Sequence, residues 1–231
     1  MKTLGLIGGM SWESTADYYR LLNQMTRERL GGSHSAPLIL WSVDFEPMTH
    51  MQAEGSWDEA SRILTDAARR VEQAGADALM ICANTMHRMA DDVAAAVSIP
   101  LLHIGDATAA AIKTTSVRRP LLLGTRYTME QGFYRDRLKS LGVDVVVPGE
   151  VDRARIQRMI YEELVRGIIN PQSRAALLQI VGAERAAGAD GVILGCTEFG
   201  MLVGEGDIHI PTFNSTEIHA RAGIEFALGA G

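Results

Sequence analysis

The segment Gly195-Cys196-Thr197-Glu198 places a thiol directly after an apolar run. An ordinary thiol titrates near about 8.5, so its pKa must fall before it can act as a base at neutral pH. At the end of a strand that opens into a helix, backbone N–H groups and the helix dipole favour the thiolate. Thr197 and Glu198 stand where they could orient the thiol or relay its proton. The competing reading is that a free cysteine is a small buried hydrophobe; the strand-end position and polar neighbours favour chemistry. Three further segments follow apolar runs in the same way: Gly8-Gly9-Met10-Ser11, Ala83-Asn84-Thr85 and Gly124-Thr125-Arg126. Each leads into a helix start or is rich in backbone donors, a setting that favours anions such as carboxylates. His87 follows Asn84-Thr85 by one helical turn, close enough to touch such a site or to make a structural hydrogen bond at the helix start. His103, at the end of an apolar run after Pro100, reads as a satisfied buried histidine. No His/Cys/Asp cluster has metal-ligand spacing, so no metal is expected. Gly5-x-x-Gly8-Gly9 lacks the spacing and the acidic partner of a dinucleotide fingerprint.

The elements that must position these segments alternate regularly. Strands are expected at 2–8, 37–43, 77–82, 100–103, 119–124, 144–147, 190–195 and 211–213, with amphipathic helices between them. Ser56-Trp57-Asp58-Glu59 and Thr128 to Gln131 read as capping boxes, the second opening a helix that stops at Gly142. Asn170-Pro171 reads as an N-cap with proline at the first helical position, and Gly31-Gly32 ends the first helix. Strict alternation implies parallel sheets covered on both faces.

The chain also repeats itself. Ala74-Gly75-Ala76-Asp77 recurs as Ala187-Gly188-Ala189-Asp190, each followed by an apolar run. Leu6-Ile7-Gly8 with Tyr19-Arg20 echoes Leu122-Leu123-Gly124 with Tyr134-Arg135, and Ile99-Pro100 echoes Ile210-Pro211. The offsets drift smoothly from 116 and 115 through 113 to 111 residues. The expected architecture is therefore α/β: two pseudo-symmetric, doubly wound parallel-sheet domains with the active site in the cleft between them. Residues 1–113 plus 212–231 would form the first domain and 114–211 the second. Ligands in open parallel sheets sit beyond the carboxyl ends of the strands, which is where the four segments lie.

Composition excludes several classes. With 231 residues, 47% apolar and 22% charged, the chain can build a packed core without disulfide staples. Its two cysteines and general composition suit a cytoplasmic protein. The net charge of −6 and the scattering of nineteen arginines argue against nucleic acid. No apolar run approaches a membrane span, and the N-terminal run reads as a buried strand and not as a signal peptide. Only three lysines occur, Lys2, Lys113 and Lys139. Lys2 opens a strand and the other two sit near helix ends, so none suits a Schiff base with pyridoxal phosphate. Chemistry on an amino group would run without that cofactor.

Together, Gly8-Gly9-Met10-Ser11, Asn84-Thr85-Met86-His87, Gly124-Thr125-Arg126-Tyr127-Thr128 and Gly195-Cys196-Thr197-Glu198 resemble the aspartate/glutamate racemase family over essentially the full chain, closest to the broad-specificity enzymes of enteric bacteria. The resemblance implies cofactor-independent racemisation of a small α-amino acid, with a base on each side of Cα. It implies Cys196 as one base and Asn84, Thr85, Thr125 and Thr197 as substrate contacts, with Glu198 beside the thiol and Met10, Ser11 and Gln52 at the rim. Arg126 is the available basic residue for a side-chain carboxylate, with Arg20 and Arg135 further along. The implied partners are a small amino-acid substrate and a second copy of the chain in a homodimer.

The departure is the first base. The family's cysteine stands immediately before Asn-Thr, where this chain has Ala83. Aligning Ala74 on Ala187 superposes Ala83 on Cys196 and Cys82 on Gly195. Adjacent strand residues point to opposite faces, so Cys82 should face away from the site. Three readings stay open at Ala83. A water or a neighbour such as His87 could serve the second face, giving slow or one-sided racemisation. The reaction could need one protonation face only, as in arylmalonate-type decarboxylases of the same superfamily, with Cys196 as sole donor. The alanine could also be an introduced replacement. A catalytically lapsed amino-acid binding protein is the reading from another class.

Overall fold

The structure is a computed structural model that describes residues 1–204 and 206–229. Strands β1 (Leu4–Gly8), β3 (Ala78–Ile81), β4 (Pro120–Gly124) and β5 (Gly191–Gly195) are buried at every residue. That is what continuous apolar runs produce when both sheet faces are covered. β2 (Leu38–Ser42) and β6 (Thr212–Asn214) flank them, giving parallel sheets in the orders β2-β1-β3 and β4-β5-β6. The expected strands at 100–103 and 144–147 shrink to single parallel bridges, Leu79 with Leu101 and Leu121 with Val146.

Two compact units result: Met1–Ile104 with the stretch from His219 onward, and Gly105–Ile218. The boundaries differ from the expected 113/114 and 211/212 for clear reasons. β6 hydrogen-bonds to β5, which puts residues 212–214 in the second unit. Helix α5 (Ile104–Lys113) belongs there too: Asp106 forms a bidentate pair with Arg137 at 2.6 and 2.8 Å.

In the first unit, α1 (Trp12–Leu30) and α11 (Ser215–Leu228) supply one face. Tyr18, Leu22, Met25, Ala220, Ile224 and Ala227 pack there on Leu4, Leu6, Ala78, Met80 and Cys82. The other face carries Ile7, Leu79, Ile81 and Ala83, covered by Ala60, Leu64, Ala67, Ala68 and Val71 of α3 (Trp57–Gln73). α2 (Phe45–Glu54), the 3₁₀ turn Thr85–Met89 and α4 (Ala90–Ala95) complete that layer through Met48, Met86, Met89 and Val93. Alternation along β3 thus sends Cys82 and Ala83 to opposite faces.

In the second unit, Leu121, Leu123, Val192, Leu194 and Cys196 share a cluster with Leu177, Ile180 and Val181 of α9 (Pro171–Ala186). α6 (Arg126–Glu130), α8 (Glu150–Arg158) and α10 (Phe199–Leu202) add Met129, Ile156, Phe199 and Leu202, and α7 (Gly132–Ser140) brings the fully buried Tyr134. Asn170 caps α9 as expected, accepting from the Gln172 N–H at 2.9 Å. The cap of α6 is Thr125 and not Thr128, and the helix breaks at Gln131 before α7. Ser56 precedes α3 but makes no side-chain capping bond.

The repeat has a physical cause. Asp77 accepts the Thr3 N–H at 2.6 Å, and Asp190 accepts the Arg119 N–H at 2.7 Å. Each carboxylate satisfies the amide that leads into the neighbouring strand, β1 or β4. Gly75 and Gly188 both have φ +99°, a region open chiefly to glycine. The Pro100 and Pro211 carbonyls accept equivalent bonds from Leu79 and Val192, each at 2.8 Å. β1 and β3 pair in the register of β4 and β5. Among the described residues, no helix is long and apolar enough to cross a membrane.

Candidate active site

The second unit holds a compact group at the end of β5. Gly124 and Gly195 face each other at the ends of β4 and β5, and a Cβ on Gly124 would lie 2.8 Å from the Gly195 carbonyl oxygen. Only glycine lets the strand ends approach this closely. Cys196 follows, buried, with Sγ donating to Glu198 Oε2 at 3.0 Å. Thr197 Oγ1 donates to the same oxygen at 2.7 Å. The three residues expected to act together are therefore joined through one carboxylate oxygen.

The thiol's acidity departs from expectation. Burial, then the Glu198 charge and its hydrogen bond, push the Cys196 thiol well above its usual range. The expected lowering relied on a helix N-terminus, but α10 has only four residues, and a macrodipole needs aligned peptides to develop. The resting group is a protonated thiol held against a carboxylate. Tyr161 feels the same charges: burial first, then Tyr127, Cys196 and Glu198, raise its phenol. It lies in a π-helical turn, Met159–Glu163, inserted after α8. Such bulges recur at functional sites. Sequence reasoning missed Tyr161, because a one-residue helical insertion leaves the amphipathic pattern readable as ordinary helix.

Thr125 is buried and caps α6, its hydroxyl 3.2 Å from the Thr128 N–H and 3.1 Å from the Thr128 hydroxyl. Arg126 carries its guanidinium 4.0 Å from Glu130 with its side chain 57% exposed, so it is a surface residue.

The first unit gathers a second group at the ends of β1 and β3. Ser11 is buried and caps α1, its hydroxyl 3.4 Å from the Ser14 N–H. Met10 and Ala83 share one apolar cluster with Met86. Gln52, buried on α2, brings Nε2 to 3.1 Å from Met86 Sδ. Asn84 and Thr85 are buried at the start of the 3₁₀ turn, and the Asn84 carbonyl accepts the His87 N–H at 3.1 Å. Met10, Met48 and Met129 are buried core residues. Cys82 lies among Leu4, Leu6, Tyr18 and Met80, and burial raises its thiol far above the usual range. His87 donates from Nδ1 to the Ala83 carbonyl at 2.8 Å and accepts the Ile104 N–H at Nε2 at 3.2 Å. Two bonds to backbone groups give this ring a neutral form, which makes it a poor proton source for the face at residue 83.

Among the described residues no group of three or more His, Cys, Asp or Glu could hold a metal. All three lysines are exposed, and the Lys2 ammonium lies over the Phe226 ring at 4.2 Å.

A family model described as Asp/Glu/hydantoin racemase matches residues 7–223. The broad-specificity amino-acid racemase RacX of Bacillus subtilis is 24% identical over 232 residues, covering 96% of each chain. The crystal structure of a candidate Asp/Glu racemase from Yersinia pestis superposes with a TM-score of 0.90 at 51% identity, over 99% of this chain and 100% of that one. That of an aspartate racemase homologue from Pyrococcus horikoshii gives 0.85 at 37% identity, over 99% and 100%.

Proposed function

The chain belongs to the Asp/Glu/hydantoin racemase family, and from that premise we propose that it racemises a small α-amino acid, of Asp/Glu type or of broader range, with Cys196 as the base at Cα and no cofactor. The observation that carries the reading is the Cys196 thiol donating to Glu198 at 3.0 Å. The thiol needs an acceptor for its proton before it can remove one from carbon, and Glu198 is that acceptor. The thiolate then takes the Cα proton. Asn84, Thr85, Thr125 and Thr197 hold the α-carboxylate. A substrate ammonium entering beside Glu198 would offset the charge that holds the thiol protonated.

Ala83 occupies the place of the second base. Its Cβ shares a face with Leu79 and Ile81, as Cys196 shares one with Val192 and Leu194. Water serves that face as acid and base, so racemisation is slow in both directions, while Cα exchange is faster for the enantiomer whose proton Cys196 removes. The same alanine favours a second reading, a cofactor-free decarboxylase or isomerase in which Cys196 alone delivers the proton.

Solvent deuterium exchange at Cα, with each enantiomer offered separately, decides between them. Exchange from both enantiomers, lost in Cys196→Ser, is the expected result. Exchange from one enantiomer alone favours the single-donor enzyme, and binding without exchange sinks both readings. Ala83→Cys should raise exchange of the slower enantiomer by about tenfold or more, the scale of a positioned acid–base group. An unchanged rate would mean that residue 83 does not face Cα.

A further inference from the structure

His87 is buried, and its ring bonds two backbone groups at once, the Ala83 carbonyl and the Ile104 amide. Its Nδ1 meets the Ala83 carbonyl at 2.8 Å, and a carbonyl can only accept, so Nδ1 carries the proton. Its Nε2 meets the Ile104 backbone N–H at 3.2 Å, and an amide can only donate, so Nε2 carries the lone pair. Geometry alone therefore specifies one neutral tautomer. One bond pins the carbonyl of the residue that opens the Ala83-Asn84-Thr85 turn. The other satisfies the first amide of α5, an orphan donor that the helix cannot satisfy itself.

The surroundings make the clamp stiff. The His103 ring stands edge-on to His87 with centroids 4.5 Å apart, and the His219 ring lies 5.8 Å away. His219 is itself tied by Nε2 to the Leu102 carbonyl at 2.7 Å and by Nδ1 to the Tyr18 hydroxyl at 2.8 Å. Ile104 is the last residue before the chain leaves the first unit, and His219 is the first after it returns. Both crossings are thus anchored at the cluster that holds the Ala83 turn.

We infer that His87 is a positioning residue: its neutral ring locks the Ala83 carbonyl to the Ile104 amide and so sets the turn that presents residue 83, Asn84 and Thr85 to the substrate. The inference rests on the racemase reading, since it assigns those three residues to substrate. Rigid support of this kind matters because a displacement of about 1 Å at a reacting group can cost about a hundredfold in rate.

The test uses the full chain and three variants. His87→Asn keeps a donor near the Nδ1 position, whereas His87→Gln reaches the Nε2 position and leaves the Ala83 carbonyl without its short partner. Cα exchange should fall about tenfold or more in His87→Ala and His87→Gln and recover largely in His87→Asn. His87→Asn and His87→Gln should lose similar thermal stability, because each breaks one buried bond, and His87→Ala should lose more. Exchange that tracks melting temperature alone, or a Gln variant as active as the Asn variant, overturns the inference. A native protein that exchanges no amino acid overturns the racemase reading, and this one with it. Nitrogen-15 spectra of the native imidazole give an answer independent of variant folding. Protonation at Nδ1 alone supports the clamp, and protonation at Nε2 removes its basis.

Discussion

Ionising a buried thiol beside a carboxylate sets two negative charges on adjacent groups, so the proton stays on sulfur. That is the state of Cys196 next to Glu198. Replacing Glu198 by Gln removes the charge, and the Cys196 thiol should then titrate at lower pH than in the native protein. It also removes the proton acceptor. Thiolate absorbance against pH should move down while turnover falls by about a hundredfold or more, the usual contribution of a positioned base. A thiol that titrates lower with turnover intact would show Glu198 to be a mere neighbour. Cys82→Ala is the companion variant: its thiol lies on the α1 and α11 face, so activity should hold while a small cavity costs some stability. The sequence made Cys196, Thr197 and Glu198 legible as a group, because strand-end position and residue type suffice for that. It did not reveal the direction of the thiol's shift, which depends on a side chain folding back over two residues.

At the scale of elements, the most legible feature was the duplicated Ala-Gly-Ala-Asp, since every position in it has a backbone task. The glycine takes a positive φ, and the aspartate receives the amide that leads into the next strand. Asp77→Ala should lower the urea midpoint by an amount equivalent to about 1 kcal/mol, the net value of one such bond, and Asp190→Ala by more, because its carboxylate also accepts the Arg118 N–H at 2.8 Å. A Cβ at Gly75 meets nothing within 4 Å. Gly75→Ala should therefore destabilise through φ strain alone, by about 1–2 kcal/mol. A neutral result would remove the conformational explanation of the repeat. The assignment of residues 212–214 to the first domain failed for a related reason. Ile99-Pro100 and Ile210-Pro211 mark a strand in each half, but sequence cannot say that β6 completes the sheet of β5. The fourth strands of each sheet were legible as apolar runs, yet each reduces to one bridge.

At the scale of the molecule, α11 begins in the second unit as Ser215–Ile218 and continues into the first from His219. His219 is fully buried, and burial outweighs its bond to the Leu102 carbonyl, pulling its pKa down to about 4. An unfolded histidine titrates near about 6.5. Above that value the ring is neutral in both states, and its contribution to stability is complete. Below it the unfolded chain takes up a proton first, so stability falls with pH until the folded ring also protonates near 4. The slope is about 1.4 kcal/mol for each pH unit, and the whole loss is on the order of 3 kcal/mol. Chemical denaturation at steps between pH 7 and pH 4 should show this loss. The carboxylates Asp207 and Glu72, both held below their usual range, add theirs only at the acid end of that window. His219→Gln removes the titrating group and keeps a polar side chain, so it should be less stable near neutrality and flatter on the acid side. Parallel acid limbs in the two proteins would mean that His219 takes up its proton at the same pH folded as unfolded, and its burial as a neutral ring would have to be abandoned.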